Sequence, residues 1–126
     1  MNTKKRILLV DDEKSFTNLL KLNLEDTGAY EVHVENWAED AYPAAQSFKP
    51  DLILLDIIMP RMPGGNVAAQ IKADPALKDT PIVFLTAAVR KHQVEENDGI
   101  ICDHPCLAKP ASADEVVQMI EKHIRK

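Results

Sequence analysis

The chain has 126 residues, of which 45% are hydrophobic and 28% are charged, and these values fit one domain with one buried core. Its net charge of −5, with basic clusters only near the two ends, argues against non-specific binding of nucleic acid. No apolar stretch is long enough to span a membrane or to form a signal-peptide core, so the cytoplasm is the expected compartment.

The first half of the chain alternates three strand patterns with two helical patterns. Gly28 ends the first helix, and Pro43 either stands in the first turn of the second helix or kinks it. The second strand alternates apolar and polar residues, which favours a sheet edge. In chain order these elements are a strand at 7–10, a helix marked by Phe16, Leu19, Leu20 and Leu24, a strand at 30–34, a helix at 38–48 and a strand at 52–55.

The second half continues the alternation with three helices and two strands. Asn66 is the predicted N-cap of the third helix, and Ser112 with Glu115 forms a predicted capping box for the last. The fourth helix has almost no apolar face and is expected to be short or mobile. These elements are a helix at 66–74, a strand at 82–85, a helix at 90–97, a broken strand at 100–107 and a helix at 112–125.

Five β-α units in series predict an α/β fold. We expect a single doubly wound, five-stranded parallel sheet of strand order 2-1-3-4-5, flavodoxin-like, with five flanking helices. Pro105 cannot donate a hydrogen bond to a strand ladder, so the fifth strand should be an edge, as this order requires. One domain is expected over residues 1–126, with its core at about 5–125 and no output domain.

Polar residues stand at the ends of four predicted strands: Asp11 and Asp12 after the first, Asp56 after the third, Thr86 after the fourth and Lys109 after the fifth. In an open α/β sheet these ends form the ligand-binding rim, so the five side chains are expected to converge. Three close carboxylates need a cation, and all-oxygen ligation suits Mg²⁺. Because a hydroxyl and an ammonium can bind phosphoryl oxygens and a carboxylate can act as nucleophile, the set predicts phosphoryl transfer.

At these residues the chain resembles the response-regulator receiver domains of two-component signalling, the CheY-like family. The matching stretches are LLVDDE at 8–13, LLDIIMPRMPG at 54–64, FLTA at 84–87 and the Lys109-Pro110 pair. The resemblance implies a signalling phosphoacceptor rather than an enzyme, one that assists its own phosphorylation and dephosphorylation. The implied donor is the phosphohistidine of a sensor histidine kinase or of a histidine phosphotransfer protein, or a small acyl phosphate.

The resemblance also implies a role for each matching residue. Asp56 would be phosphorylated and would bind Mg²⁺ together with Asp12, with Asp11 partly through water, and with the main-chain carbonyl of Ile58. The remaining roles are phosphoryl binding for Thr86 and Lys109, a cis bond between Lys109 and Pro110, and room for the donor at the small Ala87.

Signalling in this family implies a partner surface. Movement of Thr86 toward the phosphoryl group would alter the face formed by the fourth helix, the fifth strand and the fifth helix, to which a downstream protein would bind. A homodimer is left open, whereas direct nucleic-acid binding and membrane insertion are not expected.

The fifth strand departs from the family pattern. Cys106 stands where the family usually has an aromatic switch residue, three positions before Lys109, and the sequence 98–105 replaces the usual Gly-Ala-Asp lead. Cys102, His104 and Cys106 alternate, but the ends of an extended triplet lie some 13 Å apart, at about 3.3 Å per residue. That distance argues against a common zinc ion and against a disulfide, so ordinary packing is expected.

Two other functions fit parts of the pattern. Haloacid-dehalogenase-like phosphatases also combine Asp, Thr, Lys and Mg²⁺, but they place the nucleophile at the first strand in a D-x-D arrangement and usually carry a cap domain. A binding module that no longer accepts phosphate would keep the fold alone. Turnover of a phosphomonoester would favour the first alternative, and absence of Mg²⁺ binding would favour the second.

Overall fold

The apolar runs of the sequence form the strands of one sheet. A computed structural model describes residues 4–86, 100–101, 104–109 and 112–124. Its strands are β1 (Lys5–Val10), β2 (Tyr30–Glu35), β3 (Leu52–Asp56), β4 (Ile82–Thr86), β5 (Ile100–Ile101) and β6 (His104–Ala108). Its helices are α1 (Lys14–Asp26), α2 (Ala41–Phe48), α3 (Gly64–Ala73) and α4 (Ala113–His123), with a 3₁₀ turn at Ala38–Asp40.

Five strands of the sheet are parallel, and their order confirms the predicted topology. The complete order is β2-β1-β3-β4-β6-β5, in which β6 is the fifth parallel strand. The expected edge position of this strand needs correction, because β5 pairs with it on the outer side in the antiparallel direction, with Ile100 opposite Pro105. The run at 100–107 is therefore two strands of opposite direction, and β5 covers only two residues of the outer side of β6.

Both faces of the sheet are covered, which explains the uninterrupted apolar runs within the central strands. Successive side chains of a strand point to opposite faces, so β1 and β3 each supply two residues to each of two cores. One core contains Leu8, Val10, Ile53 and Leu55 with residues of α2 and α3, and the other contains Ile7, Leu9, Leu52 and Leu54 with residues of α1 and α4.

The helix boundaries agree with the sequence except at the start of α3 and at the start of α2, where the first three predicted residues form the 3₁₀ turn. Pro43 lies in the first turn of α2, where the missing N–H is tolerated, and the capping box of Ser112 and Glu115 is present in α4. The prediction that Asn66 caps α3 is wrong: Pro63 is the N-cap, and the Asn66 N–H already donates to the Pro63 carbonyl at 2.9 Å. The predicted helix at 90–97 lies outside the described residues. Among the helices that are described, none is long and apolar enough to cross a membrane.

Candidate functional site

Three carboxylates and one ammonium meet at the carboxyl ends of the strands. Val10 pairs with Leu55 across β1 and β3, so the next residues, Asp11 and Asp56, lie side by side. Carboxylate oxygens of Asp11, Asp12 and Asp56 all lie within 4.8 Å of one another. The Lys109 Nζ pairs with Asp11 Oδ2 and lies 3.8 Å from Asp56 Oδ2. Four of the five predicted side chains are therefore brought together.

Hydrogen bonds hold both the side chain and the main chain of Asp11. Its Oδ1 accepts a hydrogen bond from the Glu13 N–H at 2.9 Å. Its main-chain carbonyl accepts one from Asn36 Nδ2 at 2.8 Å, and Asn36 Nδ2 lies 3.1 Å from Thr17 Oγ1. Sequence reasoning missed Asn36, because an asparagine after an edge strand has no pattern that distinguishes it from a turn residue.

Burial sets the electrostatics of the cluster. Asp11 and Asp56 are 0% and 5% exposed, whereas Asp12 is exposed. Burial, helped by the neighbouring Asp11 charge and opposed by Lys109, raises the pKa of Asp56 to about 6. Burial also raises the pKa of Asp11, although its hydrogen bonds from Lys109 and Glu13 act the other way. Bringing two buried carboxylates together has a cost that a divalent cation would offset.

Lys109 is surrounded by acceptors and by one aromatic ring. Besides Asp11 and Asp56, its Nζ lies 3.6 Å from Glu13 Oε1 and 4.5 Å from the centroid of the Phe16 ring. Burial lowers the Lys109 pKa, but the Asp11 hydrogen bond and the three carboxylates outweigh it, so the net shift is upward. Lys109 therefore remains an ammonium at neutral pH. Neither Glu13 nor Phe16 was predicted as a site residue.

The segment after β3 runs close to the carboxylates. The main-chain N–H of Ile58 hydrogen-bonds to the Asp56 side chain, which lowers the Asp56 pKa against the stronger effect of burial. The Ile58 side chain points away from the core and is 63% exposed, so the main chain is the part of this residue that faces the site. Gly64 closes the segment by donating its N–H to the Ile57 carbonyl at 2.7 Å.

The remaining predicted residues are described only in part. Thr86 ends β4, and its main chain pairs with Ala108, directly before Lys109. The Thr86 side chain lies outside the described part, as do Ala87 and Pro110. Cys106 is buried at 1% exposure in the core beside Phe84, and burial raises the pKa of its thiol to about 11. This position therefore holds a packed, protonated thiol, in keeping with the predicted packing role.

The sheet of five parallel strands with an acidic, lysine-containing rim defines the class: a flavodoxin-like α/β domain whose rim offers carboxylate oxygens, the ligand type that hard cations prefer. The family model described as the response regulator receiver domain matches residues 7–121. The chain therefore belongs to the response regulator receiver domain family. Receiver domains of this family are signalling phosphoacceptors that take a phosphoryl group on aspartate and generally bind Mg²⁺ through acidic residues.

Similar proteins agree with this assignment. The transcriptional regulatory protein SrrA of Staphylococcus aureus is 35% identical over 121 residues, which are 95% of this chain and 48% of that protein. The alkaline phosphatase synthesis transcriptional regulatory protein PhoP of Bacillus subtilis is 42% identical over 83 residues, 66% of this chain and 33% of that protein. The chain thus spans about half or less of the length of these curated relatives.

Solved structures show the same fold. The Vibrio cholerae chemotaxis protein CheY4 matches with a TM-score of 0.81 and 26% identity, covering 95% of this chain and 98% of that one. The N-terminal domain of a response regulator receiver protein from Methanoculleus marisnigri matches with a TM-score of 0.71 and 30% identity, covering 95% and 96%.

Proposed function

We propose that this domain accepts one phosphoryl group on Asp56 in a Mg²⁺-dependent reaction, with the phosphohistidine of a sensor kinase or a phosphotransfer protein as donor. The observation that supports this most directly is the placement of the Asp56 carboxylate. It ends β3 within 4.8 Å of the Asp11 and Asp12 carboxylates and 3.8 Å from the Lys109 ammonium.

The residues at the rim fit a magnesium ion. Asp11, Asp12 and Asp56 offer oxygen ligands, and the main-chain carbonyl of Ile58, whose N–H hydrogen-bonds to Asp56, would complete the set. Burial is the main cause of the raised pKa values of Asp11 and Asp56, and neighbouring carboxylates add to it: Asp12 at Asp11, and both Asp11 and Asp12 at Asp56. When bound, Mg²⁺ would offset this charge and the charge of the phosphoryl oxygens.

Asp56 has the properties of a nucleophile. Its pKa of about 6 leaves the carboxylate ionised at neutral pH. An Asp56 oxygen would attack phosphorus, the P–N bond of the phosphohistidine would break, and the electron pair would remain on the imidazole. Lys109 would bind a phosphoryl oxygen, and Thr86, at the end of the neighbouring β4, would bind another through its hydroxyl.

The product would be a labile acyl phosphate that carries a transient signal. We infer that a downstream protein reads this state at the face that includes β6 and α4, and that the reaction takes place in the cytoplasm. The domain itself would be phosphorylated and later dephosphorylated, whereas phosphatases that use the same residue types turn over a separate substrate.

Acetyl phosphate tests the acceptor directly. The protein is incubated with acetyl phosphate in Mg²⁺ or in EDTA and quenched in acid, and its intact mass is measured. The wild type should gain one phosphoryl group only with Mg²⁺, and Asp56→Asn should gain none. Asp51→Asn is the matched control, because Asp51 precedes the same strand at its opposite end and only accepts a hydrogen bond from the Arg6 N–H there.

The other outcomes separate the alternatives. A wild type that binds Mg²⁺ but gains no mass would indicate a binding module that does not accept phosphate. Mg²⁺-dependent phosphorylation of Asp56→Asn would mean that another residue is the acceptor. Steady hydrolysis of a phosphomonoester such as p-nitrophenyl phosphate would instead indicate a phosphatase.

A further inference from the structure

The loop between β3 and α3 contains a strained turn. The Met62 N–H donates to the Pro60 carbonyl at 2.8 Å, which closes a three-residue turn centred on Arg61. Arg61 has φ of 72°, a value that residues with a side chain rarely adopt. Turns of this hand are uncommon and strained, and they persist where surrounding contacts hold them.

Two side chains from another loop hold Arg61. Its Nη1 pairs with Glu39 Oε1 at 2.9 Å, and its guanidinium carbon lies 5.0 Å from the centroid of the Trp37 ring. Trp37 and Glu39 belong to the connection between β2 and α2, 24 and 22 residues earlier in the chain. A planar guanidinium that stacks on a ring and pairs with a carboxylate is held in one orientation more firmly than by either contact alone.

Both joined loops lead directly to the acidic site. Trp37 follows Asn36, which donates to the Asp11 carbonyl. The loop with Arg61 begins after Asp56 and contains Ile58, whose N–H hydrogen-bonds to the Asp56 carboxylate. The contact between Arg61 and Trp37 therefore connects the segments that position two of the three carboxylates.

We propose that Trp37, Glu39 and Arg61 form a latch that holds the loop after β3 in the shape required for metal binding. The three are positioning residues, which act through Ile58 and Asp56 and do not contact the phosphoryl group. Without the latch the strained turn at Arg61 relaxes, and the main chain of Ile58 moves away from the carboxylates. This inference rests on the proposed metal site and extends it to residues outside the rim.

Tryptophan fluorescence provides a direct readout, because Trp37 is the only tryptophan in the chain. Arg61→Ala should change the emission of Trp37 in the metal-free protein, since the ring loses its stacked cation. In calorimetric titrations Arg61→Ala and Trp37→Leu should each weaken Mg²⁺ binding by about three- to tenfold, the effect of losing one or two partly exposed contacts. Trp37→Phe keeps an aromatic face for Arg61 and should restore most of the affinity.

Arg6→Ala is the matched control. Arg6 also lies over an aromatic ring, 5.5 Å from the Phe48 centroid, and also pairs with a glutamate, Glu31 at 3.7 Å. Arg6 stands at the start of β1, at the end of the sheet opposite the carboxylates, so its loss should leave Mg²⁺ affinity unchanged. At saturating Mg²⁺ the phosphorylation rate of Arg61→Ala should return to within about twofold of the wild type, because excess metal overcomes the weaker binding and brings the metal ligands, Asp56 among them, back into place.

The outcomes distinguish the latch from the site it serves. Wild-type Mg²⁺ affinity in both Arg61→Ala and Trp37→Leu would overturn the latch while leaving the metal site intact. Equal weakening by Trp37→Phe and Trp37→Leu would also overturn it, because loss of stacking would not be the cause. A wild type that binds no Mg²⁺ would overturn the metal site and the latch together.

Discussion

At the scale of single residues, Asp56 shows how burial prepares a carboxylate for reaction. Its pKa of about 6 lies above the ordinary value of 3.8, so Asp56 binds a proton more tightly in the folded protein than in the unfolded chain. At neutral pH the ionised group therefore destabilises the fold, and a nearby cation would offset this unfavourable charge.

Asp56→Asn should stabilise the metal-free protein. Above pH 6 the ionised Asp56 reduces the free energy of unfolding by up to about 3 kcal/mol, from a shift of roughly two pKa units. This penalty shrinks as pH falls through 6 and vanishes below about 4, where the group is protonated in both the folded and the unfolded state. Urea unfolding in EDTA at pH 7.5 and pH 4 measures the difference between wild type and variant. A gain that is absent at pH 7.5, or equal at both pH values, would contradict the prediction.

Lys109 shows why a site residue depends on neighbours that lack chemistry of their own. Its ammonium lies among three carboxylates and against the face of the Phe16 ring, and it is only 12% exposed. The ring attracts the cation without offering it a proton acceptor. Phe16 thereby restricts where the ammonium can lie within the site.

At the scale of elements, the start of α3 is determined by its approach to β3. A Cβ added at Gly64 would lie 2.2 Å from the Asp56 carbonyl oxygen and 2.8 Å from the Ile57 Cα. Real Cβ atoms do not come so close to backbone atoms, so only glycine permits this contact. The helix therefore begins at Gly64, two residues before the predicted N-cap at Asn66.

Gly64→Ala should disrupt this element, and Gly65→Ala should not. The new methyl group at Gly64 would push the start of α3 away from the main chain of Asp56 and Ile57. We expect this to lower the free energy of unfolding by about 2–3 kcal/mol. At Gly65 nothing lies within 4 Å of an added Cβ, so alanine should be neutral or stabilise the helix by up to about 1 kcal/mol. Denaturant unfolding of both variants measures the contrast, and equal stabilities would refute the argument.

At the scale of the whole molecule, the sheet separates two cores and presents one reactive rim. The cluster with α2 and α3 lies on one face, and the cluster with α1 and α4 lies on the other. The same central strands contribute residues to both cores and end at the rim.

Mg²⁺ should stabilise the folded protein through the rim. A ligand that binds only the folded state raises the free energy of unfolding by RT ln(1 + [L]/Kd), about 1.4 kcal/mol at ten times Kd. Thermal unfolding in EDTA and in Mg²⁺ should show this gain in the wild type and lose most of it in Asp12→Asn. Asp26→Asn, at the end of α1, changes the same charge at an exposed position and should retain the gain. An equal Mg²⁺ effect in Asp12→Asn would place the bound ion elsewhere.

The sequence alone determined the sheet and the identity of the rim residues. The runs at 7–10, 52–55 and 82–85 have no polar interruption, which only strands covered on both faces require. Once the strands are parallel, their carboxyl ends must share one edge, so residues as distant as Asp11 and Lys109 could be predicted to meet. A local pattern also sufficed for the capping box of α4, whereas for Pro43 it left two alternatives open.

Only the tertiary structure decided how these residues are held. The contacts of Asn36 with the Asp11 carbonyl, Phe16 with Lys109 and Arg61 with Trp37 join residues that are distant in the chain, and no local sequence pattern pairs them. The close approach at Gly64 and the two-residue partner of β6 depend likewise on distances between backbones. Periodicity records which face of an element is buried, whereas the geometry between loops arises when all the elements have packed.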